Sequence, residues 1–235
     1  MSHRRPDWLS RREMLQKCIA LGTVTIASSA SANAMAVAFE ERERELRKPT
    51  PSNDLGPFYK RRAPNSTTLR GSGDPGLPLD VSGQVFDTHG EVLHGATLEV
   101  WQTDHYGHYD IEGYRYRATL MTNYQGEYHF GSVMPGHYPD RVCQHIHYLV
   151  TAPGFKPLIT QLYFASDRVF DGDPDRNFTR DPLIHSRELV RPVILTGDPK
   201  DNRATVRFEL CLERPERGRG VIVRRNTRCR PCNGS

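Results

Sequence analysis

The chain predicts an all-β protein, an antiparallel β-sandwich with long loops and a short N-terminal helical arm. Three observations carry that prediction. Helical periodicity is nearly absent after Thr50, apolar and polar residues alternate along short runs, and glycine and proline punctuate the gaps between them. Many short strands separated by turn signals close most readily as two packed antiparallel sheets. A chain of 235 residues fills one such core and leaves tails.

The N-terminus comes first and reads as a removable segment. In "SRREMLQKCIALGTVTIASSASANA" the pair Arg11-Arg12 precedes a weakly apolar stretch, Cys18 to Ala30, and then Ala32-Asn33-Ala34, a small-x-small cleavage site. The pattern resembles a twin-arginine translocation (Tat) signal, with Met14 where an aromatic is usual. Residues 1–34 are therefore expected to direct export to the periplasm or exterior, leaving a mature chain of about 200 residues. Removing the signal leaves 27 basic against 26 acidic residues, so no nucleic-acid or polyanion partner is implied. No apolar run reaches the roughly 18 residues of a membrane span, and no membrane role beyond export is expected.

Residues 35–49 follow as a charged arm or linker, whose Glu40/Arg44 and Glu43/Arg47 pairs support a short helix that Pro49 ends. The β region, 50–215, opens with "LDVSGQVFD", passes through the turn-rich "THGEVLHG" and continues with "ATLEVWQTD", where Ala96, Leu98 and Val100 share a face. Further strands are predicted at "GEYHFGSV", "HIHYLVTA", "LITQLYFA" and "TVRFELCLE", the last with Val206, Phe208, Leu210 and Leu212 on one face. The polar stretch "DRVFDGDPDRNFTRDP" is a long loop, functional or merely exposed. Residues 216–235 form a basic tail in which Cys229 and Cys232 make a lone C-x-x-C, read as a local disulfide or an inert feature.

The chemistry concentrates around "HIH". In a strand, His145 and His147 present two imidazoles on one face, as a ligand pair or as two polar face residues. Upstream, Tyr109 follows a glycine turn after a strand, and Tyr138 sits between a Pro-Gly turn and a proline, so restricted backbone can aim either phenol at a site. Two phenolates with two neutral imidazoles form a hard, anionic donor set that suits a trivalent ion such as Fe(III).

The motifs "TPSNDLGPFYK", "VSGQVFDTHGEVLHGATLEVWQTDHYGHYD", "GEYHFGSVMPGHYP", "HIHYLVTA" and "LITQLYF" resemble, in order and form, those of the intradiol ring-cleavage dioxygenases. This is the non-haem Fe(III) family of protocatechuate 3,4-dioxygenase and catechol 1,2-dioxygenase; the lack of an N-terminal helical region makes the chain look like the shorter protocatechuate type. The resemblance implies the family's sandwich, with Tyr109, Tyr138, His145 and His147 as the ferric ligands and Tyr138 displaced by substrate to help accept its protons. It implies insertion of both atoms of dioxygen, the co-substrate, into a small catechol-type aromatic to give a cis,cis-muconate-type product. It leaves room for a homo-oligomer. Gln161 matches a glutamine near the substrate and dioxygen pocket, or is an edge-strand polar residue; Tyr59 lines the pocket mouth or packs its ring structurally.

One departure stands out. The family usually has arginine three residues before the first histidine, but Val142 occupies that place and Arg141 lies one residue earlier. In an extended chain Arg141, Cys143, His145 and His147 share a face, which brings Arg141, as a substitute catalytic charge, and the bystander Cys143 toward the metal. Two other readings are weighed: an exported, non-catalytic β-sandwich binding module, and a cupin-like metalloenzyme. The second wants a glutamate soon after the H-x-H pair, and the chain has no acid between His147 and Asp167.

Overall fold

The protein is described by a computed structural model covering residues 47–139, 141–198 and 201–215. The export segment 1–34, most of the arm 35–49, and the tail with Cys229 and Cys232 lie outside the described residues.

Two five-stranded sheets form the sandwich. The first is built on β1 (Pro78–Asp87), the longest strand, and includes β4 (Glu127–Val133), β8 (Ile194–Thr196), β9 (Arg203–Arg207) and β10 (Leu210–Leu212). β4 pairs antiparallel with β1, placing Val81 opposite Phe130, while β9 and then β10 run parallel to successive halves of β1. The second sheet has the order β3 (Arg117–Met121), β2 (Thr97–Trp101), β5 (His145–Thr151), β6 (Leu158–Phe164) and β7 (Val190–Arg191). β7 pairs parallel with β6. The expected sandwich is thus present as a mixed one, mainly antiparallel. Its closing strands return along long connections and are not hairpin-linked to the strands they join, which is what permits parallel pairing.

Alternation decides which residues form the core. Along β1, Leu79, Val81 and Val85 are buried, and along β2 so are Leu98 and Val100. The strand expected over Thr205–Glu213 is interrupted into β9 and β10, yet Val206, Phe208, Leu210 and Leu212 all stay buried, as the alternation requires. Between the sheets, Tyr148 of β5 inserts its ring among Tyr128, Phe130 and Phe208, with centroids 6.3, 6.3 and 5.4 Å away. Each such ring contributes roughly 1.5–3 kcal/mol by leaving water. This cluster has a positional effect as well: with Ile146, Tyr148 and Val150 in the sandwich, His145 and His147 must point to the opposite face of the second sheet.

The loop from Asp167 to Leu189 is folded by local caps. Asp167 caps a 3₁₀ turn at Arg168–Phe170, and Asp173 caps the single-turn helix α1 (Pro174–Asn177).

Phe130→Ala, which empties a fully buried position in this cluster, is expected to cost about 3–5 kcal/mol. Thermal unfolding by circular dichroism should show a midpoint lower by about 6–20 °C; a shift under about 2 °C would contradict the assigned role of the cluster.

Candidate metal centre

The site lies at the end of the second sheet where β2 and β6 finish and β3 and β5 begin. Register places Arg117, Trp101, His147 and Gln161 side by side across four strands, with His145 and Tyr163 paired on the next row. All six are buried, although they face away from the sandwich, because segments 50–60, 104–116 and 135–144 and the 166–189 loop cover them.

Two of these segments carry the tyrosines, and they touch backbone to backbone. Gly107 adopts φ +90°, and a Cβ there would lie 1.9 Å from the His137 carbonyl oxygen; Gly136 N–H donates to Asp104 O at 2.7 Å. Side chains at these glycines would push the loops apart. The glycines of "HYGHYD" and "MPGHYP" therefore set the spacing of Tyr109 and Tyr138, whose ring centroids are 5.7 Å apart.

The four expected ligands form a closed circle of rings. Tyr138 is 6.2 Å from His145, His145 is 4.8 Å from His147, and His147 is 6.4 Å from Tyr109, between centroids. His145 Nδ1–H donates to the Cys143 carbonyl at 2.8 Å, which fixes the tautomer and leaves Nε2 as a lone-pair donor 3.4 Å from the Tyr109 hydroxyl. His147 stacks on Trp101 at 4.9 Å with the planes 2° apart, and its Nδ1 is buried with no hydrogen-bond partner.

Burial sets the protonation states. It holds the His145 pKa down to about 3, with the Arg141 charge adding to the effect, and holds His147 well below the usual imidazole value with help from His145 and Arg141. The Tyr109 phenol is pushed up by burial and then by the neighbouring Tyr138. Both imidazoles are therefore neutral at pH 7, and Tyr109 gives up its proton only to a strong Lewis acid. Among the described residues no three His, Cys, Asp or Glu side chains cluster as a metal site. The donor set that converges here needs its phenols, and its two neutral nitrogens and two phenol oxygens fit a hard trivalent cation.

Arg141 and Cys143 reach their places by a different route from the one expected. The strand begins only at His145, and residues 142 and 143 lie in a bend, so shared strand parity does not apply to them. Arg141 nevertheless turns inward: its Nη2 donates to Gln161 Oε1 and to the Tyr163 hydroxyl, both at 2.9 Å. Gln161 Nε2 in turn donates to Asp54 O at 2.7 Å. Cys143 is buried among core residues, and burial together with Asp167 and Asp181 pushes its thiol up, which keeps it protonated and inert. Tyr59 donates to the Glu99 carboxylate at 3.0 Å and tilts against Trp101, away from the ring circle. Its neighbour Phe58 is the one that stacks on Tyr109, at 4.3 Å, and meets Tyr138 edge-on.

Several supporting residues carry little sequence signal. Arg117 ties the Phe58 and Asp110 carbonyls together beneath Tyr109. Asp167, with no exposed side-chain surface, accepts from His137 Nε2 at 3.0 Å and from Gln144 N–H, steadying the Tyr138 loop. A cleft of about 460 Å³ opens beside the centre, lined among others by Tyr106, His137, Tyr138, Arg141, Val142 and Arg168.

A β-sandwich that gathers two phenols and two neutral imidazoles at one sheet end has a donor set that fits a non-haem metal. A family model described as dioxygenase matches residues 55–214. The chain is 34% identical over 169 residues to catechol 1,2-dioxygenase 2 of Acinetobacter lwoffii, covering 57% of this chain and 58% of that one. It is 34% identical over 192 residues to a hydroxyquinol 1,2-dioxygenase of Rhodococcus opacus, covering 69% and 63%. The chain thus spans about three fifths of the length of these two enzymes. Among solved structures, the dioxygenase domain of a dioxygenase carbohydrate-binding protein fusion from the cellulolytic bacterium Streptomyces sp. SirexAA-E superposes with a TM-score of 0.62 at 34% identity, covering 72% of this chain and all of that one. The chain belongs to the intradiol ring-cleavage dioxygenase family.

The depressed imidazoles make a pH prediction for the metal-free protein. Unfolded histidine takes up a proton near pH 6.5, whereas folded His145 does so only near 3. The stability they contribute is complete above pH 6.5 and is lost as pH falls toward 3, at about 1.4 kcal/mol per pH unit for each histidine. Urea unfolding between pH 7 and 4.5 should show this slope, and His145→Asn should remove roughly half of it; an unchanged slope in that variant would refute the assignment.

Proposed function

We propose that the protein is an intradiol ring-cleaving dioxygenase, with Fe(III) held by Tyr109, Tyr138, His145 and His147, that opens a catechol-type aromatic and incorporates both atoms of dioxygen. The observation that carries this reading is the closed circle of two phenols and two neutral imidazoles at the edge of an open cleft. Bound ferric iron supplies the Lewis acidity and redox coupling that make a chelated catecholate reactive toward dioxygen.

The residues of the chain do the rest. His145 is kept in the donor tautomer by the Cys143 carbonyl, and His147 is held flat against Trp101. Of the four proposed ligands, Tyr138 alone lines the cleft, so an incoming diol meets it first, and Tyr138 as its phenolate would accept a substrate proton. Arg141, on the same wall, provides positive charge for a substrate that becomes anionic, and Gln161 holds that guanidinium in place.

The substrates this reading favours are substituted or larger catechols of the kind an exported enzyme would meet. The N-terminal signal pattern adds export as part of the reading, with a substrate met outside the cytoplasm.

The test is the visible spectrum of the purified protein together with its iron content. A broad tyrosinate-to-iron charge-transfer band that shifts on anaerobic addition of catechol is expected, and Tyr138→Phe should lower turnover by about 10²-fold. A protein that stays colourless after iron reconstitution would leave the fold with a binding role only. A substrate screen tests the second point: catechol, protocatechuate and hydroxyquinol outranking bulkier catechols would overturn the preference for larger rings.

A further inference from the structure

The long polar loop after β6 carries none of the four proposed ligands, yet besides Asp167 it sends a second buried carboxylate, Asp181, beneath the site. Asp181 is only 1% exposed. Its Oδ1 accepts from Leu183 N–H at 3.0 Å, which fixes the carboxylate in its own turn. Its Oδ2 accepts from Cys143 N–H at 3.2 Å and lies 4.0 Å from Arg141 Nη2. The Cys143 carbonyl is the group that receives the His145 Nδ1 proton. Leu183 O accepts from Asn53 Nδ2, which also donates to the Tyr163 hydroxyl, and Tyr163 donates to Gln161 Oε1.

Arg141 is thereby held at one corner. Nη2 is engaged by Gln161 and Tyr163, Nε is buried without a partner, and Arg141 is among the residues lining the cleft beside Tyr138. The Arg141 side chain is 6% exposed, where a nearby anion stabilises its charge, and among the described residues Asp181 is the only carboxylate within ion-pair distance. We propose that Asp181 is a positioning residue of the ring-cleavage site: it fixes the Arg141 guanidinium behind the cleft wall so that its positive charge acts on an anionic diol bound there. The proposal rests on the functional reading above and makes the 166–189 loop part of the site.

The experiment is a double-mutant cycle on the full chain with D181N, R141Q and the combined variant. One readout is the dissociation constant of 4-nitrocatechol, followed by visible titration of the iron-loaded protein, and the other is the melting temperature of the iron-free protein. D181N and R141Q are each expected to weaken 4-nitrocatechol binding about tenfold or more at unchanged iron content, consistent with loss of a charge-assisted contact. The combined variant should bind no worse than R141Q, and D181N alone should melt about 5–10 °C lower, with part of that loss restored in the combined variant. Binding effects that multiply, or D181N binding at the wild-type level, would overturn the proposal even if the melting temperatures are coupled, because the pair would then be structural only. If D181N fails to fold, D181E keeps the charge and displaces it, and must weaken binding in the wild-type background but not in R141Q. A protein that cleaves no catechol yet shows coupled binding would end the ring-cleavage reading and leave the positioning role standing. One that cleaves catechol with multiplying effects would do the reverse.

Discussion

Everything at the centre depends on β5 being buried on both faces. One face, through Ile146, Tyr148 and Val150, is ordinary sandwich core. The other holds two imidazoles buried away from solvent, where an uncharged nitrogen lone pair is the stable form and a proton is not. A buried polar row of this kind is unfavourable unless each member finds a partner. Covering segments and sheet provide them together: the Cys143 carbonyl for His145, the Trp101 indole face on β2 for His147, the Gln161 amide on β6 for Arg141 and the Asp167 carboxylate for His137. The one atom of the pair left over is His147 Nδ1.

The same arrangement explains the charges. Arg141 and Arg117 both approach the donor circle, and each is balanced differently. Arg117 spends its donors on two backbone carbonyls and supports the Phe58–Tyr109 stack from below. Arg141 faces the cleft and has Asp181 behind it. A cation that only braces backbone and a cation that faces the ligand space are alike in sequence and differ only in what surrounds them.

The readable parts of the sequence were those with a local rule behind them. Alternation in "LDVSGQVFD", "HIHYLVTA" and "TVRFELCLE" located strands and their inward faces, and the Pro-Gly and Gly turns marked the loops that hold Tyr109 and Tyr138. β3 buries Arg117 and Ala118 in succession and β8 is exposed throughout, so neither shows the alternation that marks a strand, and parallel pairing of β9 and β10 with β1 depends on long connections that no local pattern encodes. Extending strand parity back to Arg141 failed because the chain bends at 142 and 143, so the right neighbourhood for Arg141 came from the wrong geometry. Phe58 and Tyr59 are adjacent aromatics, and only the placement of Glu99 on β2 decides which of them turns away. Asp167 and Asp181 sit in a stretch whose composition is that of any exposed loop, and their burial is a tertiary fact.

The site is assembled from widely separated pieces of chain. Tyr109 and His145 are 36 residues apart, and the brace from Asn53 to Leu183 spans 130. Of the four residues proposed as ligands only His145 and His147 are neighbours along the chain, so a metal held by all four would not template folding in the way zinc does in a finger domain. Closing those loops costs entropy that the aromatic core must repay before any ligand set exists, which makes cradle formation slow and late. A metal bound by that cradle would enter a finished scaffold, and its effect would be mass-action stabilisation of the native state together with a slower escape from it.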